Sequence, residues 1–308
     1  MARVSPIAEA EAKPVDPPVE RSYADLPWHR RKTVRLVANR LFVYTLLIVL
    51  ALIFALPLFW MVSTALKSDR QVLIFPPKWI PSPAIWSNFP DAWHFAPFST
   101  YLKNTLIITI TATAGQVASA SLVAYGFARL RFPGRDKLFL LLLATTMLPY
   151  IVTLVPQFLL FRQLGWINTF LPLTVPYFFG GSPFLIFLLR QYFRSIPMDL
   201  SDAARIDGAS EFGIFFRIVM PLARPAVVTV AIFSFLAHWN DFLAPLIYLN
   251  DENKKTLMLG LQGFIGQNQQ RFQYMMAAST LVALPTIILF FVFQRVFIRS
   301  VVLTGMKG

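Results

Sequence analysis

Cysteine is absent from the 308 residues, and charged residues make up only 14% of them. Without cysteine the chain has no disulfides, no thiolate metal ligands and no cysteine nucleophile. The only histidines, His29, His94 and His238, are isolated and form no metal-binding motif. No glycine-rich loop is followed by Lys and Ser or Thr, so there is no motif for cradling nucleotide phosphates. These absences predict that the chain binds no cofactor and is not an enzyme.

Apolar residues are abundant instead. They make up 56% of the chain, with 30 Phe, which is too hydrophobic for an ordinary soluble domain. The net charge of +13 suggests nucleic acid at first sight. However, the basic residues lie between apolar runs rather than in one patch, and this distribution is typical of membrane topology. We therefore expect contact with membrane lipid and not with nucleic acid.

The apolar runs predict an all-α polytopic membrane protein with six transmembrane helices, since about 20 apolar residues cross a hydrocarbon core. Residues 1–40 are predicted to be a cytoplasmic, partly disordered tail and residues 41–308 the membrane domain. The fourth run is interrupted by proline and glycine, which a bundle tolerates when its neighbours satisfy the freed backbone groups. The six predicted spans are Leu41–Leu66, Asn104–Leu130, Leu138–Phe161, Leu171–Phe193, Ala226–Leu249 and Tyr274–Ile298.

The orientation follows from the placement of Lys and Arg. If the N-terminus is inside, 20 of the 28 basic residues fall in the tail and in the segments that lie inside, and eight fall outside. Cytoplasmic loops carry the excess of positive charge. Both termini are therefore predicted to be cytoplasmic, and so is the polar stretch at residues 195–225.

This polar stretch predicts two short helices joined by a glycine. Residues 198–207 contain good helix formers with acids near the start, and Gly208 suits the left-handed conformation that ends a helix. Ser210 is predicted to cap the second helix. The phenylalanines there and Val219 recur at helical spacing and predict one apolar face anchored on the bundle. That face consists of Phe212, Phe215, Phe216 and Val219.

The order of residues in this stretch resembles the signature of the permease subunits of ABC importers: Glu-Ala-Ala, three residues, Gly, nine residues, Ile, one residue, Leu-Pro. The matching positions are Asp202, Ala203, Ala204, Gly208, Ile218 and Pro221. Asp202 stands for the usual Glu and Met220 for the usual Leu, and both changes preserve charge or bulk. Further similar stretches, such as Gly126-Phe127-Ala128-Arg129, point to the carbohydrate type, closest to the smaller permease of maltose importers.

The resemblance implies a type I importer fold in the bacterial or archaeal inner membrane. It also implies a second, different permease, an external solute-binding protein, and two ATPase subunits that bind ATP and Mg²⁺. The matching positions, together with Asp207, would then couple the chain to the ATPases by alternating access. A ligand shifts such an equilibrium only by its differential affinity for the two states.

A translocation path requires polar groups among the spans, where they are costly. The candidates are Thr145, Thr146, Gln157, Ser182, Ser234, His238, Asn240 and Asp241. Each has a structural alternative, because Ser and Thr also bond to their own helix. We favour Trp239, Asn240, Asp241 and Ser234 as sugar contacts, since sugars suit aromatic faces with amide or carboxylate partners.

Three other interpretations of the function stay open at this point. The substrate of such an importer could be a polyol or glycerol phosphate instead of a di- or oligosaccharide. An ion-driven secondary transporter would show internal repeats and acids within the spans. A membrane-bound signalling or scaffold protein would explain six spans but not the ordered Ala-Ala, Gly and Pro spacing.

Overall fold

The computed structural model describes residues 32–265 and 271–305, with side chains at 36–265 and 271–294. Within these ranges all regular structure is helical and no strand forms, so the all-α prediction is confirmed. The predicted tail lies outside the described residues up to residue 31, and residues 32–40 belong to the first helix. The cytoplasmic position of the tail stays a prediction.

Fourteen α-helices are present in the described ranges, several of them very short. They are α1 (Lys32–Ala65), α2 (Asp69–Val72), α3 (Asn88–Phe95), α4 (Phe98–Arg129), α5 (Arg135–Ala144), α6 (Tyr150–Gln163), α7 (Pro183–Ser195), α8 (Asp199–Ile206), α9 (Glu211–Ile214), α10 (Met220–Leu222), α11 (Arg224–Trp239), α12 (Leu243–Tyr248), α13 (Leu257–Gln262) and α14 (Phe272–Gly305). A π-helical turn, Phe215–Val219, joins α9 to α10.

The described residues divide into two units, with the boundary between Phe59 and Trp60. The described part of the first unit is the helix α1 up to Phe59, and every side chain from Leu36 to Phe59 is exposed. From residue 41 onwards this stretch is apolar on nearly all sides, as in a membrane span.

Helix α4 is the centre of the larger unit. It packs against α7, α11 and the 3₁₀ turn Val175–Phe179. Small residues along it, Ala112, Ala120 and Ala124, are fully buried and allow the neighbouring helices to approach closely. At Gly115 the ring of Phe178 lies 2.5 Å from the position that a Cβ atom would occupy, so only glycine fits there.

Three helices are long and apolar enough to cross a membrane: Leu36–Ala65 in α1, Phe98–Arg129, and Phe272–Gln294 in α14. They correspond to the first, second and sixth predicted spans. Two bent pairs of helices bring the number to five if each pair is one span. These pairs are Arg135–Met147 with Tyr150–Gln163, and Glu211–Leu222 with Arg224–Trp239. Six spans are therefore not confirmed by the described residues.

The other three predicted spans are broken. The third bends by 96° between α5 and α6, where Leu148 and Pro149 interrupt the helix. The fourth contains two 3₁₀ turns and only the 13-residue helix α7, because prolines and Gly180, with φ of 91°, end the helical hydrogen bonding. The fifth stops at Trp239 and resumes as α12.

Candidate functional site

The polar stretch at 195–225 folds as the predicted elbow. The helix α8 covers residues 199–206, within the predicted 198–207, and Gly208 follows it with φ of 81°. Left-handed backbone of this kind favours glycine because it has no Cβ to clash. Ser210 caps α9 by accepting a hydrogen bond from the Gly213 amide at 3.2 Å. The predicted helix–glycine–helix pattern and its serine cap are thus confirmed.

A chain of hydrogen bonds joins the elbow to the end of α4. The hydroxyl of Tyr125 donates to Glu211 Oε2 at 2.6 Å. Arg205 donates through Nε to the other oxygen of that carboxylate at 2.8 Å and through Nη1 to Asp202 at 2.6 Å. The hydrogen bond to Glu211, followed by that to Asp202, raises the pKa of Arg205, which keeps the guanidinium charged.

Arg129, the last residue of α4, holds the corner between α7 and α8. Only 2% of it is exposed, and it donates to the Ile196 carbonyl at 2.8 Å and to the Pro197 carbonyl at 3.5 Å. Its Nη1 also lies 2.8 Å from Met198 Sδ. Sequence reasoning missed this residue as a functional one. The signal was an arginine at the end of an apolar helix, which needs carbonyl partners if it is buried.

The apolar residues of the elbow divide between two sides. Ile214, Phe215 and Val219 are buried, whereas Phe212 and Phe216 are 68% and 61% exposed. The prediction of one anchored face is therefore wrong for the two outer phenylalanines. The side that carries Ile214 packs on the bundle instead, and Phe212 and Phe216 are left outside it.

The predicted coupling positions are mostly at the surface. Asp202, Ala203, Asp207, Gly208 and Pro221 are exposed, Ile218 is half-buried and Ala204 is buried. Ile206 and Leu200 beside them are 87% and 45% exposed. We call the exposed apolar residues Leu200, Ile206, Phe212 and Phe216 the elbow patch.

Among the predicted path residues, Trp239 is part of the core. It is 1% exposed, its indole N–H donates to the Val282 carbonyl at 3.1 Å, and its ring stacks on Phe235. No face of the indole is free in the isolated chain, and its predicted sugar contact stays a prediction. The Asn240 amide donates to the Leu236 carbonyl at 2.8 Å, at the end of α11.

Ser234 and His238 meet a residue that the sequence analysis did not single out. Both lie 3.1 Å from Gln116 Oε1, and all three residues are buried. The ring of Tyr177 packs edge-on against His238 at 4.2 Å. One face of α11 and one of α4 thus form a buried polar cluster, and helical spacing from Ser234 to His238 was the signal for it.

The remaining path candidates differ in whether their side chains have a hydrogen-bond partner within the chain. Thr145 and Thr146 donate to the carbonyls of Leu142 and Leu143, so they bond to their own helix. Ser182 caps α7, and Asp241 accepts from the Ala244 amide at 3.3 Å at the start of α12. Among these candidates, only Gln157 has a side chain that makes no hydrogen bond with the described residues, and it lines a cavity of about 510 Å³.

No metal centre is formed by the described residues, since no three His, Cys, Asp or Glu side chains come together. The candidate functional regions are therefore the exposed elbow, the buried polar cluster and the cavity at Gln157. They offer hydrogen-bonding groups and packing surfaces.

Comparison with known proteins gives consistent matches. The family model described as the binding-protein-dependent transport system inner membrane component matches residues 116–303. The probable ABC transporter permease protein YurM of Bacillus subtilis is 36% identical over 86% of this chain and 88% of its own length. The diacetylchitobiose uptake system permease protein NgcG of Streptomyces coelicolor is 32% identical over 82% and 84%.

A third relative is the sn-glycerol-3-phosphate transport system permease protein UgpE of Yersinia enterocolitica, 31% identical over 85% of this chain and 95% of its own. Among solved structures, a chain of a bacterial ABC transporter involved in the import of the acidic polysaccharide alginate matches with a TM-score of 0.72. It covers 86% of this chain and 97% of that chain at 23% identity, so the two share a fold.

Proposed function

Because the chain belongs to the family of inner-membrane components of binding-protein-dependent transport systems, we propose that it is a transmembrane permease of an ATP-driven importer for a di- or oligosaccharide. It forms half of a translocation path together with a second, different permease. Two cytoplasmic ATPase subunits hydrolyse ATP with Mg²⁺, and an external solute-binding protein delivers the substrate. Both termini and the elbow lie on the cytoplasmic side.

The observation that carries this proposal is the elbow patch. Four large apolar side chains are exposed on a segment whose backbone is fixed from within by Tyr125 and Arg129. Exposed apolar surface on a rigid segment is typical of an interaction site. A cleft of the ATPase pair is the partner proposed here, and closure of that cleft would move the elbow and, through it, α4.

A glycerol phosphate or polyol is the second candidate substrate. It is favoured by the similarity to the sn-glycerol-3-phosphate permease UgpE, which is nearly as high as that to the diacetylchitobiose permease NgcG. Family membership makes an ion-driven transporter or a scaffold an unnecessary hypothesis. A screen of ligands on the cognate solute-binding protein distinguishes the two substrate classes.

The coupling role is tested by Gly208→Val in the assembled transporter. A β-branched residue at φ of 81° is strained, so the turn between α8 and α9 must rearrange. We expect the number of substrate molecules imported per ATP to fall, measured as uptake and hydrolysis in the same proteoliposomes. The co-purified ATPase subunits report that the complex still assembles.

Gly134→Val is the matched control. Gly134 has φ of 78° and, like Gly208, has nothing within 4 Å of the position of a Cβ atom, but it lies in the turn before α5. The same strain is thus introduced away from the elbow. Equal uncoupling by both variants, or unchanged coupling in Gly208→Val, would contradict the proposed role.

A further inference from the structure

The cavity of about 510 Å³ lies between α6, the 3₁₀ turn Val175–Phe179 and the start of α12. Small-molecule sites span about 300–1,000 Å³, so its size fits a small ligand. Aromatic residues form much of the wall: Tyr150, Phe161, Trp166, Tyr177 and Phe179. Phe179 is 84% exposed, and a ligand can therefore enter from outside the chain.

Polar groups in this cavity are left without partners. The Gln157 amide, the indole N–H of Trp166 and the Tyr177 hydroxyl make no hydrogen bond with any described residue. Trp166 is fixed by stacking on Phe161 at 5.6 Å, and Tyr177 by packing on His238 at 4.2 Å. A ligand that is purely apolar would leave these donors and acceptors unsatisfied, at a cost in affinity. A ligand with hydroxyl groups would satisfy them.

The charge around the cavity opposes an anion. None of the residues that line it is Lys or Arg. Asp241 lies next to the cavity, since it accepts a hydrogen bond from the amide of the lining residue Ala244 at 3.3 Å. A phosphate group would therefore lack a cationic partner among the lining residues, whereas a neutral sugar does not need one.

We propose that this cavity is a binding site for a neutral saccharide unit of the substrate, held between aromatic side chains and recognised by Gln157. The ring of a sugar has apolar C–H faces and a polar rim, which match amphipathic tyrosine and tryptophan walls. This inference rests on the proposed function, and it decides between the two candidate substrate classes. It also replaces Trp239 with Tyr177 and Trp166 as the aromatic contacts.

The chain lacks cysteine, which allows a direct test. Ala244→Cys places this chain's only thiol in the wall of the cavity and leaves every polar group there intact. The complete complex, in lipid nanodiscs, is treated with N-ethylmaleimide, and the alkylation rate is read by mass spectrometry of this chain. The probes are an equimolar mixture of maltose, cellobiose and diacetylchitobiose, and separately sn-glycerol 3-phosphate.

We expect the saccharides to slow alkylation by about tenfold at about ten times their Kd, and glycerol phosphate to have little effect. Ala237→Cys, an exposed position on α11 that does not line the cavity, is the control and should keep its rate. In the background of Ala244→Cys, Gln157→Met should raise the apparent Kd of the saccharides by about tenfold, through loss of hydrogen bonds. Gln163→Met, at an exposed position on the same helix, should not.

Four results would overturn the site. These are no protection by the saccharides, protection by glycerol phosphate of equal strength, equal protection at Ala237→Cys, and a thiol that reacts in the isolated chain but is blocked in the ligand-free complex. The last result would mean that the partner permease covers the cavity. Failure of the complex to assemble or to couple uptake to ATP contradicts the proposed function instead, so the two failures are distinguishable.

Discussion

The two ends of α4 carry the same kinds of hydrogen-bonded groups, but the apolar residues around them differ in exposure. At the first end Tyr101 donates to Glu252, which also pairs with Lys255. At the last end Tyr125 donates to Glu211, which also pairs with Arg205. In both cases a tyrosine inside the bundle fixes a carboxylate on a connecting segment, and a base within a few residues balances its charge.

The apolar side chains around these two arrangements differ in their exposed fraction. Around the first end the apolar residues Phe98, Leu257 and Phe264 are at most 2% exposed. Beside the last end, Ile206 and Phe212 of the elbow patch are 87% and 68% exposed. At the first end these apolar residues are buried by this chain itself. The last end keeps an exposed apolar surface that another subunit can cover. The predictions below test this difference.

The largest effect is expected for Arg129→Ala. This change leaves the Ile196 carbonyl without its buried donor and opens the corner between α7 and α8, at a cost of about 1–3 kcal/mol in the free energy of unfolding. We expect loss of ATP-coupled uptake and a lower melting temperature of the purified complex. Arg131→Ala is the control, because Arg131 is exposed two residues further on. Equal loss in both variants would mean that only the local positive charge matters.

A smaller and more selective effect is expected for Tyr125→Phe compared with Tyr101→Phe. Each removes one hydroxyl that donates to a partly exposed glutamate, with a cost of about 1 kcal/mol. If the last end of α4 transmits motion, only Tyr125→Phe should lower the uptake per ATP, while both variants lose similar thermal stability. A matching drop in uptake per ATP for Tyr101→Phe would contradict the difference between the ends.

The smallest effect concerns pH at the first end. Hydrogen bonds from Lys255 and then Tyr101 lower the pKa of Glu252 below its ordinary value of 4.5. The stabilisation is fully present above that ordinary value and is lost as pH falls through the lowered one. Because the side chain of Glu252 is 59% exposed, we expect no more than about 1 kcal/mol.

The measurement is the melting temperature of the complex with and without Glu252→Gln, at about pH 6 and at about pH 3.5. The difference in melting temperature between the two proteins should be larger at the higher pH. There the carboxylate of Glu252 is ionised, and the substituted chain lacks it. A difference that is independent of pH would show that the ionised carboxylate does not contribute.

Local features were predictable from the sequence because they depend on neighbouring residues. Gly208 and Ser210 end and begin helices through their own backbone and side-chain preferences, and both were predicted. The runs that became α1, α4 and α14 were long enough to identify by composition. The elbow patch was not predicted, because which side of each short helix is buried depends on tertiary packing and not on local spacing.

The sequence by itself determined that this is an all-α chain of apolar helices with a glycine-hinged elbow, since composition, helix period and capping are short-range properties. Only the tertiary structure decided which polar residues meet. Gln116 reaches Ser234 and His238 across more than a hundred residues of sequence, Trp239 enters the core, and Gln157 is left facing a cavity. Such pairings depend on how helices pack around α4, and packing is set by the shape of many side chains together rather than by any local pattern.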